Sequence, residues 1–155
     1  MASDSGTPLK FDSQWIGDTL SIMPRFTRSY SVMTSDSRKV TPGALFVALS
    51  GDHFDGHDFI MTAVQAGAEA ILASSEKIPS GLPADVEVFA VHDSLVAYRA
   101  LAHAWRKRLK IPVVTVAGSV GKTTTKELLT AILRGRFRSV VSTQGSQNGF
   151  VGIPM

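Results

Sequence analysis

The sequence predicts an α/β fold in which the strands of a parallel sheet alternate with helices. Three apolar runs bounded by turn-forming residues, at 44–49, 69–73 and 86–91, have the length and pattern of buried strands. Apolar residues at helical spacing follow the first and third runs. A fourth apolar run, 113–117, precedes a glycine-rich loop and another amphipathic stretch, an order typical of the start of a parallel α/β sheet.

Short elements separated by turns are predicted in the first part of the chain. Residues 1–10 are polar and lack the apolar segment of a secretory signal, so we expect a disordered tail there. Apolar spacing predicts a short amphipathic helix within 11–22, and a short strand is expected near 29–33. The Thr41-Pro42-Gly43 sequence predicts the turn before the first buried strand.

Two helices are predicted in the central part. Asp58 is the expected N-cap of a helix that ends at Gln65, because Gly67 readily adopts the left-handed conformation that stops a helix. The second helix begins at Asp93 or Ser94 and carries basic residues opposite an apolar stripe. That stripe consists of Leu95, Tyr98, Leu101, Ala102, Trp105 and Leu109. Because aromatic residues do not alternate with the basic ones, a solvated face is favoured over a nucleic-acid surface.

The C-terminal part is predicted to form one β–loop–α–β unit. Its helix covers 122–134, a strand covers 138–142, and a glycine-rich loop covers 144–154. The expected buried face of the helix consists of Leu128, Leu129, Ile132 and Leu133. The change of pattern near residue 111 predicts a domain at 11–111 and the incomplete start of a second domain at 112–155.

Composition sets the broad class of protein. The 155 residues are 44% hydrophobic and 19% charged, which is ordinary for a globular protein. There is no Cys, which excludes disulfides, thiolate metal sites and cysteine nucleophiles. The net charge of +3 permits an anionic small molecule and does not require nucleic acid. No apolar stretch approaches the ~20 residues of a membrane helix, so we expect a cytoplasmic protein without membrane insertion.

The strongest chemical signal is a phosphate-binding loop between the fourth apolar run and the helix after it. It consists of Gly118, Ser119, Val120, Gly121, Lys122, Thr123 and Thr124. Glycines let backbone N–H groups turn toward phosphate oxygens, and a helix start adds unpaired N–H groups and a positive dipole end. Lys122 is the candidate catalytic residue, expected to reach the β- and γ-phosphates of ATP, while the Thr123 hydroxyl would help to hold Mg²⁺.

One position departs from the longer form of this motif. Val116 stands where that form has its first glycine, so the match is to the shorter G-x-x-G-K-T-T form. An incidental strand–turn–helix is the structural alternative. The motif by itself does not distinguish kinases, NTPases and ligases.

Two segments together resemble a known family. One contains Ser35-Asp36-Ser37-Arg38, the run 41–49, Gly51 and the run 55–59, and the other is 118–127. They resemble the N-terminal domain of the Mur ligases and the ATP loop that opens the central domain of those enzymes. The Thr-Lys-Glu after the loop and the ending with Asn148 and Gly-Ile-Pro are most similar to the D-alanyl-D-alanine-adding (MurF) type. The diaminopimelate- or lysine-adding (MurE) type is the next most similar.

The resemblance implies a Mur-ligase-type N-terminal α/β domain followed by a truncated P-loop βαβ unit. It also implies an ATP-dependent ligase of peptidoglycan synthesis, in which ATP phosphorylates the terminal carboxylate of UDP-MurNAc-peptide and the amine of a dipeptide attacks the acyl phosphate. The implied cofactors are ATP and Mg²⁺, with weak or absent binding in this chain alone. The positions that correspond to UDP-substrate binding are Ser35, Asp36, Ser37, Arg38, Gly51, Asp52, His53, Phe54, Asp55 and Gly56, and Asn148 is a further site residue.

Structural interpretations of these residues remain open. Asp36-Ser37-Arg38 could be a capped turn with an internal ion pair, and Asp55-Gly56 could be simple turn chemistry. His53 and His57 could form a metal pair, but no third ligand is placed by spacing, so a solvated loop is favoured.

The length bears on catalysis and association. The family's central domain needs more strands and Mg²⁺ ligands, and its C-terminal domain binds the incoming substrate, so we expect a truncated chain that is not catalytic alone. A non-catalytic binding or assembly module is one alternative, and an unrelated small P-loop NTPase is another. Apolar surface left uncovered on 112–155 predicts self-association through that segment.

Overall fold

The computed structural model describes residues 11–51 and 54–143, where strands and helices alternate along much of the chain. The strands are β1 (Phe11–Asp12), β2 (Ser29–Tyr30), β3 (Met33–Thr34), β4 (Ala44–Val47), β5 (Ala68–Ser74) and β6 (Glu87–Val91). The helices are α1 (Ser13–Leu20), α2 (Ile60–Gln65), α3 (Ser94–Arg108) and α4 (Lys122–Arg136). The chain divides into two compact units, Met1–Arg106 and Lys107–Met155. The expected tail at 1–10 and the expected loop at 144–154 lie outside the described residues.

Four parallel strands form the sheet of the first unit, in the order β3-β4-β5-β6, and β1 and β2 form a separate antiparallel pair. Neighbours in the sequence are therefore neighbours in the sheet, as expected when short helices and turns cross over between parallel strands. The predicted α/β fold class with a parallel sheet is confirmed. The single strand expected near 29–33 is instead divided between β2 and β3, which belong to different sheets.

The core of this unit lies between the sheet and α2. Phe46 of β4 and Ile71 of β5 are buried against Ile60 and Ala63 of the helix. Alternation along a strand sends the neighbours of these two residues to the other face of the sheet, so all four residues of β4 are buried. Full burial of one such large apolar side chain stabilises the fold by about 1.5–3 kcal/mol.

The start of α2 differs from the sequence prediction. The helix begins at Ile60 after a 3₁₀ turn at Gly56–Phe59, and the Asp55 carboxylate accepts the hydrogen bond that caps this turn. Asp58 is therefore not the N-cap, because the chain is already turning when it reaches that residue. Gly67 has a φ of 103°, which confirms its predicted role as the stop.

Aromatic contacts connect the start of the chain to α3. The Asp12 carboxylate accepts a 2.7 Å hydrogen bond from the Trp15 N–H and caps α1. The rings of Phe11 and Trp105 stack with centroids 4.1 Å apart, and Trp15 meets Trp105 edge-on at 5.4 Å. Trp105 of the predicted stripe thus packs as expected, and Tyr98 and Leu101 are buried.

The second unit contains α4, which the sequence predicted at 122–134, but not the predicted flanking strands. Residues 113–117 and 138–142 lie outside any strand, because a strand forms only against a hydrogen-bonded neighbour and the described part of this unit supplies none. The expected buried face of α4 then has no sheet to cover it, and Leu128 and Ile132 are 62% and 70% exposed. Within residues 11–51 and 54–143, no helix combines the length and apolar character needed to cross a bilayer.

Candidate functional site

Three loops lie at one edge of the sheet because β3, β4 and β5 are parallel neighbours. Residues 35–38 follow β3, residues 48–56 follow β4, and the 3₁₀ turn Ser75–Lys77 follows β5. In open α/β sheets the carboxyl ends of the strands are where ligands bind. The first two loops contain the positions predicted to bind a UDP-linked substrate, and the third adds Lys77, which the sequence analysis missed. We call this region the sheet-edge site.

The loop after β3 is a capped turn with an internal ion pair. The Thr34 hydroxyl accepts a hydrogen bond from the Asp36 N–H at 3.1 Å. Asp36 in turn accepts two bonds from the Arg38 guanidinium, at 2.8 Å from Nε and 2.9 Å from Nη2. These bonds lower the pKa of Asp36 to about 2. Arg38 is therefore held by Asp36 through two of its five N–H donors, with its side chain 87% exposed.

The loop after β4 is closed at its base by backbone hydrogen bonds. Ser50 and Asp55 form an isolated antiparallel bridge, and the Gly51 N–H donates to the Phe54 carbonyl at 2.9 Å. The Gly56 N–H donates to the Leu49 carbonyl at 2.8 Å. A Cβ at residue 56 would lie 2.7 Å from the Leu49 backbone, so this position requires glycine. Asp52 and His53, both predicted site residues, lie outside the described part of the loop.

Asp55 is the centre of the hydrogen-bond network in this loop. Its Oδ1 accepts from the Ser50 hydroxyl at 3.0 Å, and from both the backbone N–H and Nδ1 of His57, at 3.0 and 2.5 Å. Its Oδ2 accepts from Lys77 Nζ at 2.6 Å. The hydrogen bond from Lys77 is the main reason that the pKa of Asp55 lies well below its usual range. The carboxylate is fully used within the protein, so Asp55 shapes the loop.

His57 connects this loop to the end of β5. Its side chain is only 4% exposed, and its Nε2 accepts a 3.0 Å hydrogen bond from the Ser74 N–H. An accepting Nε2 carries no hydrogen, so Nδ1 carries it and donates to Asp55. The expectation of a solvated loop is therefore wrong for His57. Across residues 11–51 and 54–143, no three His, Asp or Glu side chains are grouped to hold a metal ion.

The predicted phosphate loop lies at the start of α4 in the second unit. Gly118 and Gly121 have φ values of 148° and 79°, which side chains with a Cβ rarely adopt. The first intrahelical bond runs from the Thr125 N–H to the Gly121 carbonyl at 2.9 Å. The N–H groups of residues 122–124 lie before this bond and have no carbonyl partner within the helix. Lys122 Nζ donates to the carbonyls of Gly118, at 2.6 Å, and Ser119, at 3.2 Å.

The remaining predicted loop residues are open to solvent. Ser119, Val120, Thr123 and Thr124 are all exposed. Lys126 lies one turn further along α4, and its Nζ donates to the Thr143 carbonyl at 2.6 Å. This bond connects the segment that follows α4 to the first turns of the helix. Sequence reasoning missed this contact, and Asn148, predicted in the segment beyond it, lies outside the described residues.

A parallel sheet with loops at its carboxyl edge and a glycine-lysine loop at a helix start together define an α/β protein with a phosphate-loop motif. A family profile described as Mur ligase family, catalytic domain, matches residues 29–122. The chain belongs to the Mur ligase family, as the sequence resemblance predicted.

The individual relatives carry the name of the predicted type. The UDP-N-acetylmuramoyl-tripeptide–D-alanyl-D-alanine ligase of Synechocystis is 46% identical over 120 residues, which are 77% of this chain and 26% of that enzyme. The crystal structure of MurF from Acinetobacter baumannii superposes with a TM-score of 0.81 at 27% identity, covering 95% of this chain and 32% of that one. The MurF ligase of Thermotoga maritima, solved in complex with ADP, gives 0.66 at 38% identity, covering 79% and 27%. The chain thus spans about a quarter of the length of the curated relatives it matches.

Proposed function

We propose that this chain forms the UDP-precursor-binding part and the ATP phosphate loop of a ligase that adds D-alanyl-D-alanine to UDP-MurNAc-tripeptide. In this proposal 11–111 is the precursor-binding domain and 112–155 is the start of the ATP-binding domain. The observation that carries it is the presence of Arg38, Ser50 and Asp55 at one sheet edge, in a chain 46% identical over 120 residues to a ligase of that name. Both nucleotide ligands are made in the bacterial cytoplasm, so we propose that location.

At the sheet-edge site, the chain would bind and orient the precursor. Arg38 is held in place by Asp36 and keeps further N–H donors on the exposed side, which suits the diphosphate of a UDP-linked ligand. Ser35 and Ser37 lie in the same turn, on either side of Asp36 in the sequence, and each adds a hydroxyl group to it. Asp55 and Gly56 contribute by fixing the shape of the neighbouring loop.

The phosphate loop fits the phosphates of ATP. Its left-handed glycines, the N–H groups at the start of α4 and the Lys122 ammonium group over the loop are the donors that an anion requires. Thr123, exposed on the first turn, would help to hold Mg²⁺, which when bound neutralises phosphate charge. Because the chain spans only about a quarter of the length of the ligases it matches, we propose that it binds its ligands by itself without turnover.

Calorimetric titration with UDP-MurNAc-tripeptide tests the precursor site. We expect saturable binding. Arg38→Met should weaken it about tenfold, because the variant loses one charge-assisted hydrogen-bonding group. The tripeptide without UDP is the control ligand and is expected not to bind. Absence of any binding by the wild-type chain would overturn the proposal.

Titration with ATP tests the phosphate loop separately. We expect weak binding that Lys122→Ala abolishes, whereas Lys110→Ala, on the exposed chain before the loop, leaves it unchanged. An affinity unaffected by Lys122→Ala would remove the loop assignment. Release of phosphate on adding ATP, UDP-MurNAc-tripeptide and D-alanyl-D-alanine would contradict binding without turnover and exclude the non-catalytic module.

We further propose that two copies associate through α4, because Leu128 and Ile132 expose a continuous apolar face four residues apart. Light scattering at micromolar concentration should give a dimer that the Leu128→Lys/Ile132→Lys double variant converts to a monomer. A monomeric wild-type chain would exclude this association.

A further inference from the structure

Lys77 occupies a position in the sheet-edge site that its ion pair with Asp55 does not fully explain. It lies at the end of the 3₁₀ turn that follows β5, so it reaches the same sheet edge as Arg38 and the loop 50–56. Its ammonium group donates to Asp55 Oδ2 at 2.6 Å and to the Ser50 hydroxyl at 3.1 Å. An ammonium group has three N–H donors, so these two bonds leave one more, and the side chain is 48% exposed.

The charges around Lys77 determine which kind of ligand its remaining N–H donor can bind. His57 is neutral in the tautomer fixed by the Ser74 N–H, so Asp55 and Lys77 carry the charges of the network. Lys77 therefore neutralises a carboxylate that would otherwise repel an anion bound at the loop. An uncompensated Asp55 would oppose a phosphate at this edge, whereas the pair presents an N–H donor to it.

We propose that Lys77 binds the diphosphate of a UDP-linked ligand at the sheet-edge site, donating its third N–H while its other two bind Ser50 and Asp55. This inference rests on the proposed precursor-binding function and adds to it a cationic residue from a third strand end. Arg38 and Lys77 would then contact the diphosphate from the loops after β3 and β5, on either side of the loop after β4. A nucleoside without phosphates would not use Lys77.

A comparison of UDP with uridine separates phosphate binding from a structural role. Affinities are measured for the wild-type chain and for Lys77→Met, Lys77→Arg and Lys107→Met, with uridine measured by competition against UDP-MurNAc-tripeptide. Lys107→Met is the matched control because it removes the same charge from an exposed position in the last turn of α3. That helix begins just after β6, and its last turn lies about 20 Å along its axis from that point.

We expect Lys77→Met to weaken UDP binding about tenfold and uridine binding by less than about twofold. Lys77→Arg should retain UDP affinity within about threefold, and Lys107→Met should bind both ligands as the wild type does. Equal weakening of UDP and uridine in Lys77→Met would show that Lys77 only holds the loop, and unchanged UDP affinity would also overturn the assignment. A wild-type chain that binds neither UDP nor UDP-MurNAc-tripeptide would instead overturn the proposed function and this inference with it. Thermal unfolding of each variant establishes that it is folded.

Discussion

The sheet-edge site and the phosphate loop present their ligand groups in different ways. At the sheet edge, Asp55 receives hydrogen bonds from three other residues, and the histidine among them is buried and tied to the end of β5. In the phosphate loop, the shape depends on two left-handed glycines and on bonds that Lys122 makes to carbonyls three and four residues before it. One site is fixed by long-range contacts and the other by local backbone conformation.

This difference has an energetic consequence. A long-range network couples the site to the core, so damage to it lowers the stability of the whole first unit. A local loop is coupled to little else, so damage to it changes binding more than stability. Substitutions at equivalent positions of the two sites can therefore test the distinction.

The largest contrast is expected between two glycines. In Gly56→Ala the new Cβ would lie 2.7 Å from the backbone of Leu49, so the loop and β4 must move apart, at a cost of about 3 kcal/mol. In Gly121→Ala no atom lies within 4 Å of the new Cβ, and only the left-handed φ of 79° opposes it, at about 1–2 kcal/mol. Both tryptophans, Trp15 and Trp105, belong to the first unit, so urea unfolding followed by their fluorescence reports on that unit alone.

We expect Gly56→Ala to lower the midpoint of this transition strongly and Gly121→Ala to leave it within the error of the wild type. For Gly121→Ala the local cost should appear instead as weaker binding of ATP. Equal shifts of the fluorescence midpoint would mean that the two units unfold together and that the local character of the phosphate loop is wrong.

A smaller effect is expected at His57. Replacement by Ala leaves the Ser74 N–H without its acceptor at the end of a buried strand and removes one donor to Asp55, at a cost of about 2 kcal/mol. His103→Ala, at an exposed position of α3, is the matched control and should change the free energy of unfolding by less than about 0.5 kcal/mol. Similar values for the two variants would show that the His57 contacts contribute nothing.

The difference between the sites also explains which features could be predicted from sequence. The phosphate loop is a local motif, so its glycines, Lys122 and the following helix are readable from a few adjacent residues. The strands 44–49, 69–73 and 86–91 were readable because parallel strands that are largely buried are mostly apolar runs. At the sheet edge, the capped turn at Asp36 and Arg38 was foreseen as one of two interpretations because it spans only three residues.

The features that were missed depend on contacts between distant residues. Lys77 lies 22 positions from Asp55, and His57 lies 17 positions from Ser74, so spacing alone does not bring them together. The position of Lys77 just after a predicted strand was the available signal, because parallel strands end at the same edge. The strands expected at 113–117 and 138–142 were wrong for the opposite reason, since an apolar run predicts a strand only where a partner strand exists.

The smallest predicted effect is on the pH dependence of stability. The pKa of Asp55 is lowered in the folded protein, chiefly by Lys77, so the pair stabilises the fold above the ordinary pKa of Asp, about 3.9, and this contribution is lost as the pH falls through the folded pKa. Because the pair is partly exposed, we expect it to contribute only about 0.5 kcal/mol at pH 7. Lys77→Met should therefore unfold at lower urea than the wild type at pH 7, and the two should converge as the pH is lowered from about 5 to about 2.

Lys122→Met is the matched control from the other site. Lys122 lies in the second unit and donates to two carbonyls, which do not titrate, so its removal should leave the unfolding free energy of the first unit unchanged at every pH in this range. The same substitution thus gives a pH-dependent loss where the lysine is paired with a carboxylate and no loss where it is paired with backbone in the other unit. Parallel pH curves for Lys77→Met and the wild type would show that Asp55 is held by Ser50 and His57 without help from Lys77. The Asp55 carboxylate would then be held by neutral donors without an ion pair, and raising the salt concentration should leave its contribution to stability unchanged.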